Sequence, residues 1–272
     1  MNRADSTPRM PALFASHGAA IFTTAPGDPT GEFLRSLAER VAGWSPAAIV
    51  VISAHDAAHP LRMTGPGVLA TIHDHPANAI YDYRYPGHGA QGLCDRVAAA
   101  LLRAGHALQV DDTRGLDHGA WIPLSGLQPE GERPVAQLSL DAQGGVAEHL
   151  ALGRALAPLR DEGVLLVGSG GVTHNQEVFR RGYFGRRDPA DAEAFSVEFD
   201  AWVTELVTTR RGDDREAALV GFERHPLAAI AHPSVEHFLP LLVIAAAASD
   251  ELGRKLFEGF QHSLSTSAFL FG

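Results

Sequence analysis

Ala47-Ala48-Ile49-Val50-Val51-Ile52-Ser53-Ala54-His55 is the stretch that decides the fold. A short apolar run rich in β-branched residues reads as a strand buried on both faces, as in parallel sheets covered by helices. This run ends at an imidazole. The pattern recurs on both sides of it: Pro11-Ala12-Leu13-Phe14-Ala15-Ser16 runs into His17, and the apolar, Gly-containing run from Val164 to Thr173 runs into His174. Further on, His237 stands just ahead of Phe238-Leu239-Pro240-Leu241-Leu242. Ligands of open α/β sheets sit beyond the carboxyl ends of the strands. Imidazoles delivered there from distant parts of a chain can converge, and a metal ion is what usually gathers several neutral ones.

Working outward from that strand, the apolar spacing predicts further strands at 11–16, 107–111, 134–140 and 163–167, short ones at 67–72 and 81–85, and strand character over 263–271. Helical spacing marks 31–43, 93–104, 148–160, 191–209 and 236–248. Residues 1–10 read as a flexible leader and 11–272 as one domain. Residues 56–92 and 174–190 read as long loops, the second with room for a short helix, and 112–121 as a Gly-rich loop carrying His118. Loops of the first two lengths are often walls or lids of a site. The alternation predicts a single α/β domain with a mixed, largely parallel central sheet flanked by helices, its metal site at the carboxyl ends of strands.

Composition narrows the chemistry. A single cysteine, Cys94, excludes an internal disulfide and a Cys-based zinc site, so any metal is held by nitrogen and oxygen. Cys94 itself lies in the apolar stripe of a predicted helix and reads as inert core. A net charge of −10, with no Lys/Arg cluster, argues against nucleic acid. No apolar stretch reaches transmembrane length, and residues 1–9 lack a signal-peptide core. A cytoplasmic protein without a membrane partner is expected, with homo-oligomer formation left open. No Gly-x-Ser-x-Gly elbow, His-Glu-x-x-His or P-loop is present.

Of the 14 histidines, His59, His106, His149 and His225 read as surface residues. His73-Asp74-His75 is either a ligand pair or a solvated loop. Within Gly115-Leu116-Asp117-His118-Gly119-Ala120-Trp121, Asp117 is placed to orient a neighbour and Trp121 to wall an aromatic pocket.

These blocks together resemble the class III extradiol ring-cleavage dioxygenase family, in its 4,5-DOPA dioxygenase-like branch. The resemblance is carried by Ser16-His17-Gly18, Ser53-Ala54-His55, Thr71-Ile72-His73-Asp74, Tyr81-Asp82 with Tyr85-Pro86, and Gly115 to Trp121. Pro134 to Ser139, Gly168-Ser169-Gly170 with His174-Asn175, His232 to Leu241, and Ser263-Leu264-Ser265 complete it. The resemblance implies a mononuclear non-haem metal, normally Fe(II) with Zn(II) as the alternative. It implies His17, His55 and His237 as ligands, His174 as a base near the metal or a fourth ligand, and His118 as a second acid/base or substrate-orienting group. Trp121, Tyr81, Asp56, His73 and Asn175 are expected around the substrate, with Glu236 behind His237. Three departures fall near that pocket: Asp56 stands where an aromatic residue is common, Ala19-Ala20 where Ser-Pro is common, and residues 74–80 lack an aromatic-glycine stretch.

The third ligand stays open between Glu236 and His237. Neighbours on a helix point about 100° apart, so one of them is expected to reach the metal, and the alignment of the following helix favours His237. The chemistry implied is insertion of O₂ into a catechol, an aromatic diol, with extradiol (meta) cleavage. Three protein ligands leave metal positions for both substrates. Two other readings use the same residues. A zinc hydrolase would need a carboxylate to activate water, supplied by Glu236 or Asp56. A non-enzymatic binding protein of the same fold would keep only the pocket.

Overall fold

A computed structural model describes residues 9–41, 43–75 and 82–272. Numbering the strands of the main sheet, β1 is Ala12–Ala15, β2 Ala48–Ala58, β3 Leu61–Thr64, β4 Leu108–Asp111, β5 Val135–Asp141, β6 Val164–Ser169, β7 Gly253–Phe257 and β8 Ala268–Phe271. The helices of seven residues or more are α1 Pro29–Arg35, α2 Gln91–Arg103, α3 His118–Leu127, α4 Val146–Leu156, α5 Gln176–Phe184, α6 Ala194–Thr209, α7 Gly212–Val220 and α8 Leu239–Ala247. The eight strands form one sheet in the order β4-β3-β5-β2-β6-β1-β8-β7. Its middle, β5-β2-β6-β1, is parallel throughout. The flanking strands β3 and β8 run antiparallel to their inner neighbours. The sheet is therefore mixed with a parallel centre, as the apolar runs predict.

Alternation along the central strands explains why helices cover both faces. Phe14, Val50, Ile52 and Leu166 point into one core with α2, α4, α6 and α8, while Leu13, Ile49, Val51, Leu165 and Val167 point into another with α1 and α3. Helix α8, Leu-Pro-Leu-Leu-Val-Ile-Ala-Ala-Ala, is apolar all round and buried at every position, as a helix inside a core must be.

Several boundaries differ from expectation. The helix expected at 31–43 is α1 followed by a single turn, Leu37–Arg40, because Ser36 ends the first. Strand β2 continues past Ala54 to Ala58, and β3 follows at once, inside the segment read as loop. Gly67–Val68 pairs with His88–Gly89. Residues 82–85 carry no strand, and Tyr81 lies outside the described residues. Residues 118–121, read as loop, are the first turn of α3, with Asp117 accepting from Ala120 N as its cap. The edge strand β7 and helix α7 were not expected at all. His149 is fully buried rather than at the surface: its Nδ1 donates to Gly145 O and its Nε2 accepts from Asp141 N. Cys94 is buried in α2 as read. Among the described residues no helix is long and apolar enough to cross a membrane.

Candidate active site

The ends of the parallel strands deliver the histidines. His17 follows β1, and the chain turns away at Gly18, whose φ of +62° favours glycine. Pairing between β2 and β6 stops at Ser53–Ser169, and His55 lies just beyond on β2. His174 follows β6 and precedes α5. His237 sits in the turn ahead of α8. Glu236 therefore shares a turn with His237 and not a helix, so the 100° argument does not choose between them.

The imidazoles meet. His17 Nε2 and His55 Nε2 lie 3.0 Å apart. The His237 ring centroid is 5.6 Å from that of His17 and 4.9 Å from that of His55. His174 stacks on His237 at 3.3 Å, the planes 6° apart. His118, on the first turn of α3, is 4.0 Å from His55. Two sets of donor atoms each fall within 4.8 Å of one another: His17, His55 and His118, and His174, Glu236 and His237.

Partners on the far side of each ring decide which nitrogen faces inward. His17 Nδ1 is engaged by Ser169 Oγ at 2.9 Å, which turns Nε2 toward His55. Asp74 Oδ1 accepts from His118 Nδ1 at 2.8 Å and from His118 N at 3.0 Å. An ionised carboxylate only accepts, so His118 Nδ1 carries a proton and Nε2 is the nitrogen turned away from Asp74. Gln176 Nε2 lies 3.1 Å from His174 Nε2, and an amide nitrogen only donates, so His174 Nε2 holds a lone pair. His237 Nε2 is buried without a hydrogen-bond partner among the described residues.

Electrostatics keep His17, His55, His174 and His237 neutral. Burial, reinforced by the neighbouring imidazoles, lowers His17 and His237 well below 6.5. Burial and then the proximity of His118 bring His55 down to about 3. Burial and then His232 bring His174 to about 4. Burial also pushes the Asp74 carboxyl upward, but its hydrogen bonds to His118 and the His118 charge outweigh this and hold it below the usual range. Neutral imidazoles that converge on one point, with the His237 Nε2 buried and lacking a hydrogen-bond partner among the described residues, are the donor set that a divalent cation fits.

The rings line a cavity of about 470 Å³, within the size of small-molecule sites. Asp74 and His75 complete one side, and Ile21, Phe179, Arg180, Tyr183 and Phe184 form the other. Other expected residues lie elsewhere. Asp56 faces away from His55 across the strand and is 1% exposed, paired with Arg62 at 2.5 Å and Arg114 at 2.9 Å. Asn175 caps α5 through Val178 N and donates to Ile230 O, so it shapes the helix and does not line the cavity. Trp121 donates to Ile72 O and walls a second cavity, of about 290 Å³, with Tyr83. The His73 ring centroid lies 5.8 Å from that of Trp121, outside the main cavity lining. Glu236 Oε1 lies 3.4 Å from His237 Nδ1, behind that ring.

Ser169, Asp74 as the partner of His118, and the aromatic wall of α5 were not read from sequence. The wall had a signal: Phe179 and Tyr183 are four apart behind the N-cap Asn175, as one helix face requires.

A mixed α/β sheet with neutral imidazoles gathered at the ends of its parallel centre, opening on a partly aromatic cavity, defines the class of protein. Comparison with known proteins gives the family. The sequence signature described as the catalytic LigB subunit of aromatic ring-opening dioxygenase matches residues 11–270, and the chain belongs to that family. It is 35% identical over 243 residues to a 4,5-DOPA dioxygenase extradiol of Beta vulgaris, covering 88% of this chain and 87% of that one. It is 33% identical over 247 residues to the protein of that name in Escherichia coli (strain K12), covering 89% and 86%. The crystal structure of the uncharacterized protein JW3007 from Escherichia coli K12 superposes with a TM-score of 0.80 at 30% identity, covering 97% of this chain and 100% of that one. The chain is thus an extradiol-dioxygenase family member built on that fold.

Proposed function

We propose that the protein is a non-haem metal-dependent dioxygenase that opens a catechol ring beside its two hydroxyls, with incorporation of O₂. The observation that carries this reading is the convergence of His17, His55 and His237, neutral and turned inward, on one wall of a cavity sized for a single aromatic substrate. These three would hold Fe(II), or Zn(II) in its place, with His174 beside His237. Bound there, Fe(II) would supply a redox centre joining an electron-rich ring to O₂, which reacts slowly with closed-shell catechols unaided.

The chain's own residues supply the proton handling and the shape. His174 Nε2, whose lone pair accepts from Gln176, takes a proton from a catechol hydroxyl as the diol displaces that amide. His118 Nε2 faces the cavity because Asp74 holds Nδ1, and the carboxylate stabilises the imidazolium whenever His118 carries a second proton. That proton is available for return to an oxygen of the opening ring. Phe179 and Tyr183 confine the ring and exclude water from it. Asp56, one of the two alternative carboxylates for a hydrolytic reading, is ion-paired with Arg62 and Arg114 away from the cavity.

Anaerobic loading with Fe(II), followed by O₂-uptake measurements across substituted catechols, tests the reading. Uptake coupled to yellow ring-opened products is expected. Loaded protein that consumes no O₂ with any catechol would overturn it.

A further inference from the structure

A residue outside the cavity ties together two of the segments that carry its histidines. His232 is 7% exposed, and its Nε2 lies 2.8 Å from Val172 O. A carbonyl only accepts, so Nε2 carries the ring proton. Nδ1 is buried and has no hydrogen-bond partner among the described residues. The ring packs among Phe199, Phe238 and Phe222, with centroids 5.6, 5.0 and 6.5 Å away. A phenyl ring would suit that surrounding without leaving a nitrogen unpaired. The single bond His232 makes is therefore the feature that distinguishes it from phenylalanine.

That bond is one rung of a short ladder. Gly171 N donates to His237 O and His174 N to Ala231 O, each at 2.8 Å. Asn175 Nδ2 donates to Ile230 O, also at 2.8 Å. The segment 171–175 is thereby fastened to the segment 230–237, and the two fastened segments bring His174 and His237 face to face.

We propose that His232 is a positioning residue of the metal centre. Its Nε2–H bond to the Val172 carbonyl sets the loop of His237 against the loop of His174, so that the His237 ring presents its Nε2 to the cation with His174 stacked beside it. His232 touches neither that cation nor the substrate. The assignment rests on the metal-centred reading above and extends it to a residue with no place in the chemistry.

Amide replacements separate the bond from mere packing. In His232→Gln the side-chain nitrogen reaches about as far as Nε2 and can still donate to Val172 O. In His232→Asn it reaches only as far as Nδ1 and cannot. His232→Phe keeps the ring and removes the donor. Metal-free protein of each variant is titrated with Co(II) and Zn(II) against a competing chelator, well below its melting temperature, and the visible Co(II) spectrum is recorded. The wild type and His232→Gln are expected to bind alike with the same spectrum. His232→Asn and His232→Phe are expected to bind about 10–100-fold more weakly, the range for losing a group that orients metal ligands, with an altered Co(II) band. Should one of those two fail to fold, the other against His232→Gln decides. Equal affinity and spectra in all variants, or equal losses in Gln, Asn and Phe, would overturn the assignment. A wild type that binds neither ion would instead sink the metal-centred reading itself.

Discussion

At the scale of single residues, the site divides into rings that hold a cation and rings that move protons. His174 tests the division because it stacks on His237 yet has its own lone pair turned toward Gln176. Replacing His174 by Ala is expected to lower kcat by about 10²–10⁴-fold, the usual worth of a general base, while metal content measured on the purified protein stays at the wild-type level. Loss of metal from His174→Ala would make it a ligand. Asp74→Asn probes the partner of His118. The amide can present its oxygen to the ring but no longer balances an imidazolium, so kcat is expected to fall about 10–100-fold at unchanged metal content. Unchanged kcat would remove His118 from the proton path. The histidines themselves were legible in sequence because each ends or precedes an apolar run. Asp56 was misplaced for a related reason. The apolar run stops at Ala54, so the strand was ended there, whereas β2 continues to Ala58. Within a strand neighbours face opposite ways, and a His55 that points into the cavity sends Asp56 out of it.

At the scale of elements, the central strands and α2, α4, α6 and α8 were readable because burial imposes a period or a continuous apolar run on them. What escaped was decided by tertiary contact. Gly115 and Gly119 made the start of α3 look like a loop, yet its N-cap Asp117 also accepts from Ser53 on β2 at 2.6 Å, and nearly the whole helix is buried. The edge strand β7, Gly-Arg-Lys-Leu-Phe, has charged residues in its middle and, among the described residues, pairs with β8 alone. Helix–helix contact also makes one substitution informative. A Cβ on Gly153 of α4 would lie 2.2 Å from Val243 O and 2.8 Å from Ala246 Cβ of α8. Alanine gains about 1 kcal/mol of helix propensity over glycine, but forcing α4 from α8 costs about 1–3 kcal/mol or more. The clash is with backbone, which cannot swing aside. Gly153→Ala is therefore expected to lower Tm by several degrees, as read by calorimetry, and a raised Tm would show that the two helices can separate freely.

At the scale of the whole molecule, the buried imidazoles make folding depend on pH. His174 and His232 are lowered from 6.5 to about 4, in both cases chiefly by burial. Burial lowers His149 and His262 as well. A histidine whose folded pKa lies below its unfolded value favours the folded state while neutral. Its contribution is complete above about pH 6.5 and is lost as pH falls toward 4. Each fully expressed shift to about 4 is worth about 3 kcal/mol, a large part of the roughly 5–15 kcal/mol that holds a domain folded. Carboxylates such as Asp74, held below their usual range, lose their contribution only at lower pH. The metal-free protein is thus expected to lose thermal stability between about pH 6.5 and 4, ahead of ordinary carboxylate titration. A bound cation competes with protons for the same ring nitrogens, so loading should raise Tm most near neutrality and progressively less toward the acid end of that window. Melting curves across the window, with and without Zn(II), check both parts. A metal-free Tm that stays flat down to about pH 4 would mean that the buried rings are already charged or solvated, and a convergent set of neutral donors could not then be what this fold maintains.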